Sequence, residues 1–483
     1  MSAPSAARRP NILILYSDTH SAFATGCYGS PVAHTPNLDR LAADGVLFER
    51  AYSQNPLCVP SRQSAITGKY SCQTGVLHND QPMPALYTLG HHFSAAGYAT
   101  AALGKMHFVP DTKASAGKER QYGFAARVDY EEFWRYARDE CGLPPVPDVP
   151  DDPWRIVHLE RWYQVLQRPM VAPVHPGGRP GGRGGGRGGG APGGTLEHRY
   201  QQEALVLRAW ERFLAARRQQ PFLAVVSFQS PHPPFWAPEQ FWSHDGGPIP
   251  LPEQPDEAML SHPVWGKAAR VVPDHVREER MRAFYADVSY TDWCAGEALR
   301  LLDGAGHRQD TLVVYLSDHG DMGFHHGLTG KTVFFEQSVQ VPLILRLPET
   351  LAAGGRYRGL VPLIDLFPTL CEAAGIAPPA GLAGRSLWGD LLARTDAGRE
   401  AVFSESYPME RNRQVFGPRP HRMVLTREWK LIQYGDICVD LYDTTRDPEN
   451  RISLGDDAAY RAVKQGLLER LTAELGPLPE PES

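Results

Sequence analysis

An α/β fold built on one large, mostly parallel sheet flanked by helices is what this sequence predicts, and three observations carry it. Apolar runs at 11–16, 221–228 and 311–316 are short, continuous and rich in β-forming residues, the pattern of strands buried on both faces. Stretches of helical character at about 197–218 and 277–302 precede the second and third runs, giving the alternation of helix and strand that builds such a sheet. Polar residues follow each run: Asp18, the loop Ser230-Pro-His-Pro-Pro-Phe235, and Asp318-His319. Ligands of open α/β sheets bind beyond the carboxyl ends of the strands, so these strand ends point to one site.

The remaining elements follow in order. Thr35 stands as the N-cap and Pro36 as the first residue of a helix that runs on through 38–43. Residues 175–194 are almost entirely Gly, Arg and Pro, with no apolar side chains to offset the entropy of ordering them. They read as a disordered surface insertion, an RNA-binding Gly-Arg segment being the sharper alternative. After residue 394 the pattern changes to shorter strands at 401–405, 422–425 and 429–434 and an amphipathic helix at 458–475. The chain therefore divides into a catalytic-size α/β domain, 1–394, and a smaller C-terminal α+β subdomain, 395–483.

Composition narrows the function. With 483 residues, 42% of them hydrophobic, the chain can bury a large core and a second, smaller one. A net charge of −6 offers no general attraction for nucleic acid or an anionic membrane, so small molecules are the expected partners. The 7 cysteines are scattered without any CxxC spacing, which suggests neither a disulfide framework nor a thiolate zinc site. The apolar run at 12–15 is too short for a signal-peptide core or a membrane span, which leads us to expect a cytoplasmic protein.

The most informative stretch is Cys58-Val-Pro-Ser-Arg62, continued by Ile66-Thr-Gly-Lys69. A cysteine beside a turn is, taken alone, most often a buried, inert thiol. Other short motifs accompany it along the chain: Asp18, Gly26-Cys-Tyr-Gly29, Thr35-Pro-Asn-Leu-Asp39, Gly104-Lys-Met-His107, Ser230-Pro-His-Pro-Pro234, Ser317-Asp-His-Gly-Asp321, Gly330-Lys331 and Val341-Pro-Leu-Ile344. Leu441-Tyr-Asp443 with Asp447-Pro-Glu449 closes the series. Together they resemble the type I sulfatases, the formylglycine-dependent members of the alkaline phosphatase superfamily, with local detail of the choline sulfatase and bacterial arylsulfatase-like branch. The resemblance covers most of the chain and implies the sulfatase fold, including an antiparallel sheet in the C-terminal subdomain.

It also implies a chemistry. Cys58 is the position a formylglycine-generating enzyme converts to an aldehyde; its hydrate supplies one hydroxyl to attack sulfur and a second to expel sulfate, a step a thiol could not perform. Asp18, Asp318 and His319, with the modified Cys58, are implied ligands of one divalent cation, Ca²⁺ in the family, although His319 can equally stand beside the metal. The sequence departs from the fullest pattern at Asp18-Thr19-His20, where many members carry two aspartates. One carboxylate fewer weakens Ca²⁺ binding or shifts preference toward Mn²⁺, and the Thr19 hydroxyl is a weak substitute. Arg62 is expected to hold the modified side chain, and Lys105 and Lys331 the sulfuryl oxygens. His107 is expected to assist breakdown of the diol and His232 to contact or protonate the leaving-group oxygen. Asn79 is a weaker substrate-contact candidate, and His325 and His326 stay open between metal surroundings, substrate contact and surface.

The expected function is thus hydrolysis of a small organic sulfate ester. A phosphonate monoester hydrolase or phosphodiesterase of the same superfamily, and a noncatalytic anion- or protein-binding homologue, are the alternatives. Trp134, Trp162, Phe235, Trp236 and Trp242 either line an apolar part of the substrate pocket or fill core. A homo-oligomer is left open.

Overall fold

The computed structural model describes residues 9–79, 84–107, 122–128, 201–216, 220–242, 248–409 and 413–479. The Gly/Arg-rich stretch at 175–194, Trp134 and Trp162 lie outside the described residues.

The centre of the molecule is β1 (Asn11–Ser17), whose side chains are all buried. It pairs in parallel with β6 (Phe222–Ser227) on one side and β7 (Thr311–Ser317) on the other. These are the three strands read from the sequence. Ser17 lies opposite Ser317, and Tyr16 opposite Ser227, so the three carboxyl ends are level. Around them an eight-stranded sheet has the order β5-β4-β6-β1-β7-β8-β2-β9. Its other members are β2 (Val46–Phe48), β4 (Ala99–Gly104), β5 (Ala126–Val128), β8 (Leu343–Arg346) and β9 (Gly355–Tyr357). Only β8 runs against the rest. Two short strands, β3 (Ala51–Tyr52) and β10 (Val361–Pro362), pair beside this sheet.

The period-2 alternation of β1 divides the core. Ile12, Ile14 and Tyr16 face one layer, with α2 (Cys58–Thr67), α3 (Leu89–Ala95) and α6 (Leu366–Ala373) packed on it. Leu13 and Leu15 face the other, under α1 (Pro36–Ala43), α4 (Gln202–Ala215) and α5 (Asp274–Gly304). Each buried Leu, Ile or Phe stabilises this sandwich by roughly 1.5–3 kcal/mol relative to exposure. The long α5 thus exceeds the expected 277–302 at both ends.

Thr35 precedes α1 as expected, but it does not cap it with its side chain. Its Oγ1 instead accepts from the Gly26 amide at 2.8 Å and donates to Asp39 at 3.1 Å. The open amides of Asn37 and Leu38 are taken by the Asp292 carboxylate of α5, at 3.1 and 2.8 Å. The cap is supplied from a distant helix, which local sequence cannot show.

The C-terminal sheet is an antiparallel meander of β11 (Val402–Ser406), β12 (His421–Leu425), β13 (Trp429–Tyr434) and β14 (Cys438–Asp443). β14 is a fourth strand beyond the three expected, and the closing motif Leu441-Tyr-Asp443 forms its end. Helix α7 (Arg461–Leu475) lays Leu467, Leu471 and Leu475 on Phe403, Val424, Leu431 and Leu441. Tyr70 and Ile364 of the large domain share that cluster. No helix of the described residues is long and apolar enough to cross a membrane.

Candidate active site

The chain leaves β1 at Asp18 and β7 at Asp318, and both carboxylates are fully buried. Between them lies Arg62, the fifth residue of α2. Its Nε donates to Asp318 at 2.8 Å and its Nη2 to Asp18 at 3.2 Å and the Ser17 carbonyl at 3.2 Å. Nη1 donates to the Lys105 carbonyl at 2.7 Å and to Ser227 Oγ at 2.9 Å. All five guanidinium donors are thereby engaged, with the Tyr16 ring 4.4 Å below. Arg62 was expected to hold the Cys58 side chain. It has no donor left for that, and it locks the two carboxylates to the ends of β1, β4 and β6 instead.

Lys105 Nζ lies 2.8 Å from Asp18, and Thr19 Oγ1 donates to the other oxygen of that carboxylate at 2.7 Å. Thr19 thus ties down Asp18. Despite burial, Lys105, His232, Lys331 and Arg62 hold the Asp18 carboxyl well below its ordinary value. Asp318 behaves oppositely: burial lifts it to about 6, and Arg62 only partly opposes this.

Cys58 is the first residue of α2 and is 1% exposed. Asn79 explains part of the geometry. Its Oδ1 accepts the amide of Val59 at 3.0 Å, so it caps the helix that presents Cys58 and is a backbone partner rather than a substrate contact in this arrangement. Ser61 Oγ donates to the Asp318 carbonyl at 2.6 Å, fastening the same turn to β7.

The Cys58 sulfur meets Lys331 Nζ at 2.8 Å and His319 Nε2 at 3.2 Å, and the rings of His107 and His232 are close enough to be influenced by it. Burial and Asp18 push its thiol up; Lys331 and His319 outweigh them and hold it well below its usual value. A helix N-terminus favours negative charge at the same point. His319 Nδ1 lies 3.0 Å from the Gly320 carbonyl, and donating there makes Nε2 the acceptor, which Lys331 Nζ reaches at 3.1 Å. Burial, then Lys105, lowers His107 to about 3, and burial with Lys105 and Lys331 lowers His232, so both rings are neutral here.

Ligand atoms of Asp18, Cys58, Asp318 and His319 all lie within 4.8 Å of one another. Two carboxylates and an imidazole whose other nitrogen is fixed make a donor set that suits a divalent cation. The structure therefore brings together Asp18, Cys58, Arg62, Lys105, His107, His232, Asp318, His319 and Lys331, drawn from three strand ends, one helix and two loops.

Sequence comparison agrees with this geometry. A family model described as Sulfatase matches residues 10–376, and one described as N-sulphoglucosamine sulphohydrolase, C-terminal, matches 324–475. The chain belongs to the sulfatase family. It is a sulfuric ester hydrolase, with the sulfatase fold of the alkaline phosphatase superfamily. Among curated proteins it is similar to the choline-sulfatase of Rhizobium meliloti, 30% identical over 76% of this chain and 68% of that one. It is also similar to the uncharacterized sulfatase YidJ of Escherichia coli, 27% identical over 98% and 88% of the two chains. The crystal structure of a phosphonate monoester hydrolase of Agrobacterium radiobacter superimposes with a TM-score of 0.78, covering 96% and 95% of the chains at 24% identity. That likeness concerns the fold.

Some expected residues lie elsewhere. His326 stacks on Phe335 with ring centroids 3.9 Å apart, and His325 Nδ1 bonds the Met322 carbonyl at 2.9 Å, so both serve packing. Phe235 and Trp236 of this sulfatase are buried, Phe235 against Phe284, and fill core. Trp242 is half-buried and donates to the Ala237 carbonyl.

One contributor was missed. Glu203, 1% exposed on α4, accepts the amides of Gln229 and Ser230 at 3.0 Å each, and Gln201 beside it donates to the Trp236 carbonyl. One helix start clamps both ends of the loop carrying His232. A glutamate at a helix start reads as ordinary N-terminal charge, and its partners are visible only in three dimensions.

Proposed function

We propose that this sulfatase acts through a formylglycine made from Cys58 by a formylglycine-generating enzyme, on a small organic sulfate ester, with one divalent cation held by Asp18, Asp318 and His319. Ca²⁺ is the expected ion and Mn²⁺ the alternative, because Thr19 stands where a further carboxylate would add charge. The observation that carries this reading is the setting of Cys58: a buried helix N-terminus whose side chain sits among the metal-ligand atoms with Lys331 at 2.8 Å.

When formed, the aldehyde hydrate supplies a hydroxyl nucleophile and a second hydroxyl for release of sulfate. When bound, the cation supplies charge that ionises the nucleophile and neutralises a substrate oxygen. The chain's own residues do the rest. Lys331 and Lys105 present fixed positive charge to the sulfuryl oxygens, where negative charge grows during displacement. Arg62 fixes one oxygen of each carboxylate, and the other is held by Thr19 Oγ1 in Asp18 and by the Thr19 and His319 amides in Asp318, which aims both groups at the cluster where a cation would sit. Neutral His107, beside residue 58, would accept the proton of the second hydroxyl once the hydrate is formed, and His232 would contact the leaving-group oxygen.

The test is the mass of the proteolytic peptide containing Cys58, taken from protein co-expressed with the maturase and compared with the unmodified synthetic peptide. An aldehyde mass supports the mechanism; a thiol despite the maturase removes it. The missing second carboxylate favours one other reading, a phosphonate monoester hydrolase. Matured enzyme assayed on an aryl sulfate, choline sulfate and an aryl phosphonate monoester separates the two, and a higher kcat/KM on the phosphonate would reverse our choice.

A further inference from the structure

At the end of the central sheet opposite the catalytic cluster, one buried cation makes no ion pair among the described residues. Arg346 closes β8, which runs against its neighbours, and pairs with Val313 near the start of β7, whereas Asp318 follows the end of β7. The Arg346 side chain is 2% exposed, yet its Nε and Nη2 have no hydrogen-bond partner. The acids lining the space beside it are mostly committed, Asp303 Oδ1 alone being buried without a hydrogen-bond partner. Asp44 and Asp303 both bond Arg308, at 2.7 and 2.9 Å, and Glu297 pairs with Arg300 at 2.8 Å. Burial and then Arg308 lower the Arg346 pKa, and Asp303 and Asp44 do not fully compensate. Arginine stays ionised regardless, and an unpaired buried charge is costly.

Arg346 borders a cavity of about 320 Å³ between α1, α5 and the Arg308 turn. We infer that this cavity binds a small oxyanion, a carboxylate, sulfate or phosphate group, with Arg346 as its charge partner. Nε and Nη2 share one edge of the guanidinium and match two oxygens of a single group in parallel. Arg300 and Arg308, 65% and 41% exposed, stand at the mouth. The Arg308 pairs there are surface pairs of the weak kind, so the side chain yields to an entering anion at little cost. The volume admits an organic molecule bearing the group as well as the inorganic ion.

The test follows thermal unfolding of the full-length protein in sodium sulfate, phosphate and acetate against chloride at matched ionic strength, for the wild type and Arg346→Met. The wild-type Tm should rise by roughly 2 °C or more over chloride as one oxyanion approaches saturation. Arg346→Met should lose that increment. Preference for acetate assigns a carboxylate ligand, and preference for sulfate or phosphate a tetrahedral one. The inference falls if the wild type shows no oxyanion-specific rise, which leaves water in the cavity. It falls too if both proteins rise equally, which puts the anion elsewhere, the catalytic site included. Should Arg346→Met not fold, Arg346→Lys keeps the charge and loses the paired edge; half-saturation should move roughly tenfold higher, and an unchanged value would overturn the inference.

Discussion

Two lysines, Lys430 fully buried and Lys331 half-buried, show how differently this molecule uses charge. Lys430 on β13 is fully buried and donates to the Phe334 carbonyl at 2.8 Å and Glu336 at 2.7 Å, while Asn450 donates to the same glutamate at 3.0 Å. That network closes on itself and fastens the C-terminal sheet to the segment after Lys331. Burial lowers the Lys430 pKa, with Glu336 opposing. Lys331, only a few residues before Glu336, donates instead to the Cys58 sulfur and to His319 Nε2. Its pKa is raised despite burial, by Cys58, Asp18 and Asp318. A permanent carboxylate partner makes a lysine structural. Partners that are themselves reactive or ligating leave its charge available to a substrate.

The largest expected effect lies on the reactive side. Cys58→Ala should abolish sulfate ester turnover and shift Tm by only a few degrees, since it removes one sulfur from a well-packed helix start. Residual wild-type-like activity would place the nucleophile elsewhere. Lys331→Met should lower kcat by roughly 10²–10³, the cost of removing one preorganised stabiliser of transition-state charge, again with little change in Tm. Lys430→Met should reverse the pattern. It leaves Glu336, itself a quarter exposed, without its ion partner, so the destabilisation should fall toward the low end of the roughly 3–5 kcal/mol seen for broken buried pairs. Its kcat should stay within a few-fold of wild type, and adding Glu336→Gln should recover part of the stability. Similar kcat losses for Lys331→Met and Lys430→Met would erase the distinction between the two lysines.

How much of this was legible beforehand depended on the kind of signal. Strands β1, β6 and β7 were plain because central parallel strands are continuous apolar runs. Strand β4 was not, because Ala99-Thr-Ala-Ala-Leu-Gly104 has few β-favouring side chains and is a strand by virtue of lying between β6 and β5. Site residues were legible through motif resemblance, since nothing in their spacing shows that Asp18, Lys105 and Lys331 meet. What sequence could not supply was the pairing. Arg62 spends its donors on carboxylates and carbonyls, Asn79 on the Val59 amide, and Glu203 on the His232 loop.

Asn79 gives a smaller test of the same contrast. If it is a cap, Asn79→Ala should cost about 1 kcal/mol of stability and leave KM unchanged. A raised KM with unchanged Tm would return it to the substrate-contact role.

The smallest effect concerns pH on the structural side. His421, 3% exposed on β12, bonds the Phe416 carbonyl through Nε2 at 2.7 Å, and burial depresses its pKa to about 4. Its ordinary value is about 6.5, so between those limits the unfolded chain binds a proton that the folded chain refuses. Stability from the neutral ring is therefore complete above pH 6.5 and lost progressively as pH falls toward 4. His421→Gln keeps a donor for Phe416 but cannot titrate, so its denaturation midpoint should fall less steeply over that window. Identical slopes would mean that the ring stays neutral in neither state or titrates equally in both, and the contrast between a closed C-terminal sheet and a titrating catalytic end would then rest on the lysines alone.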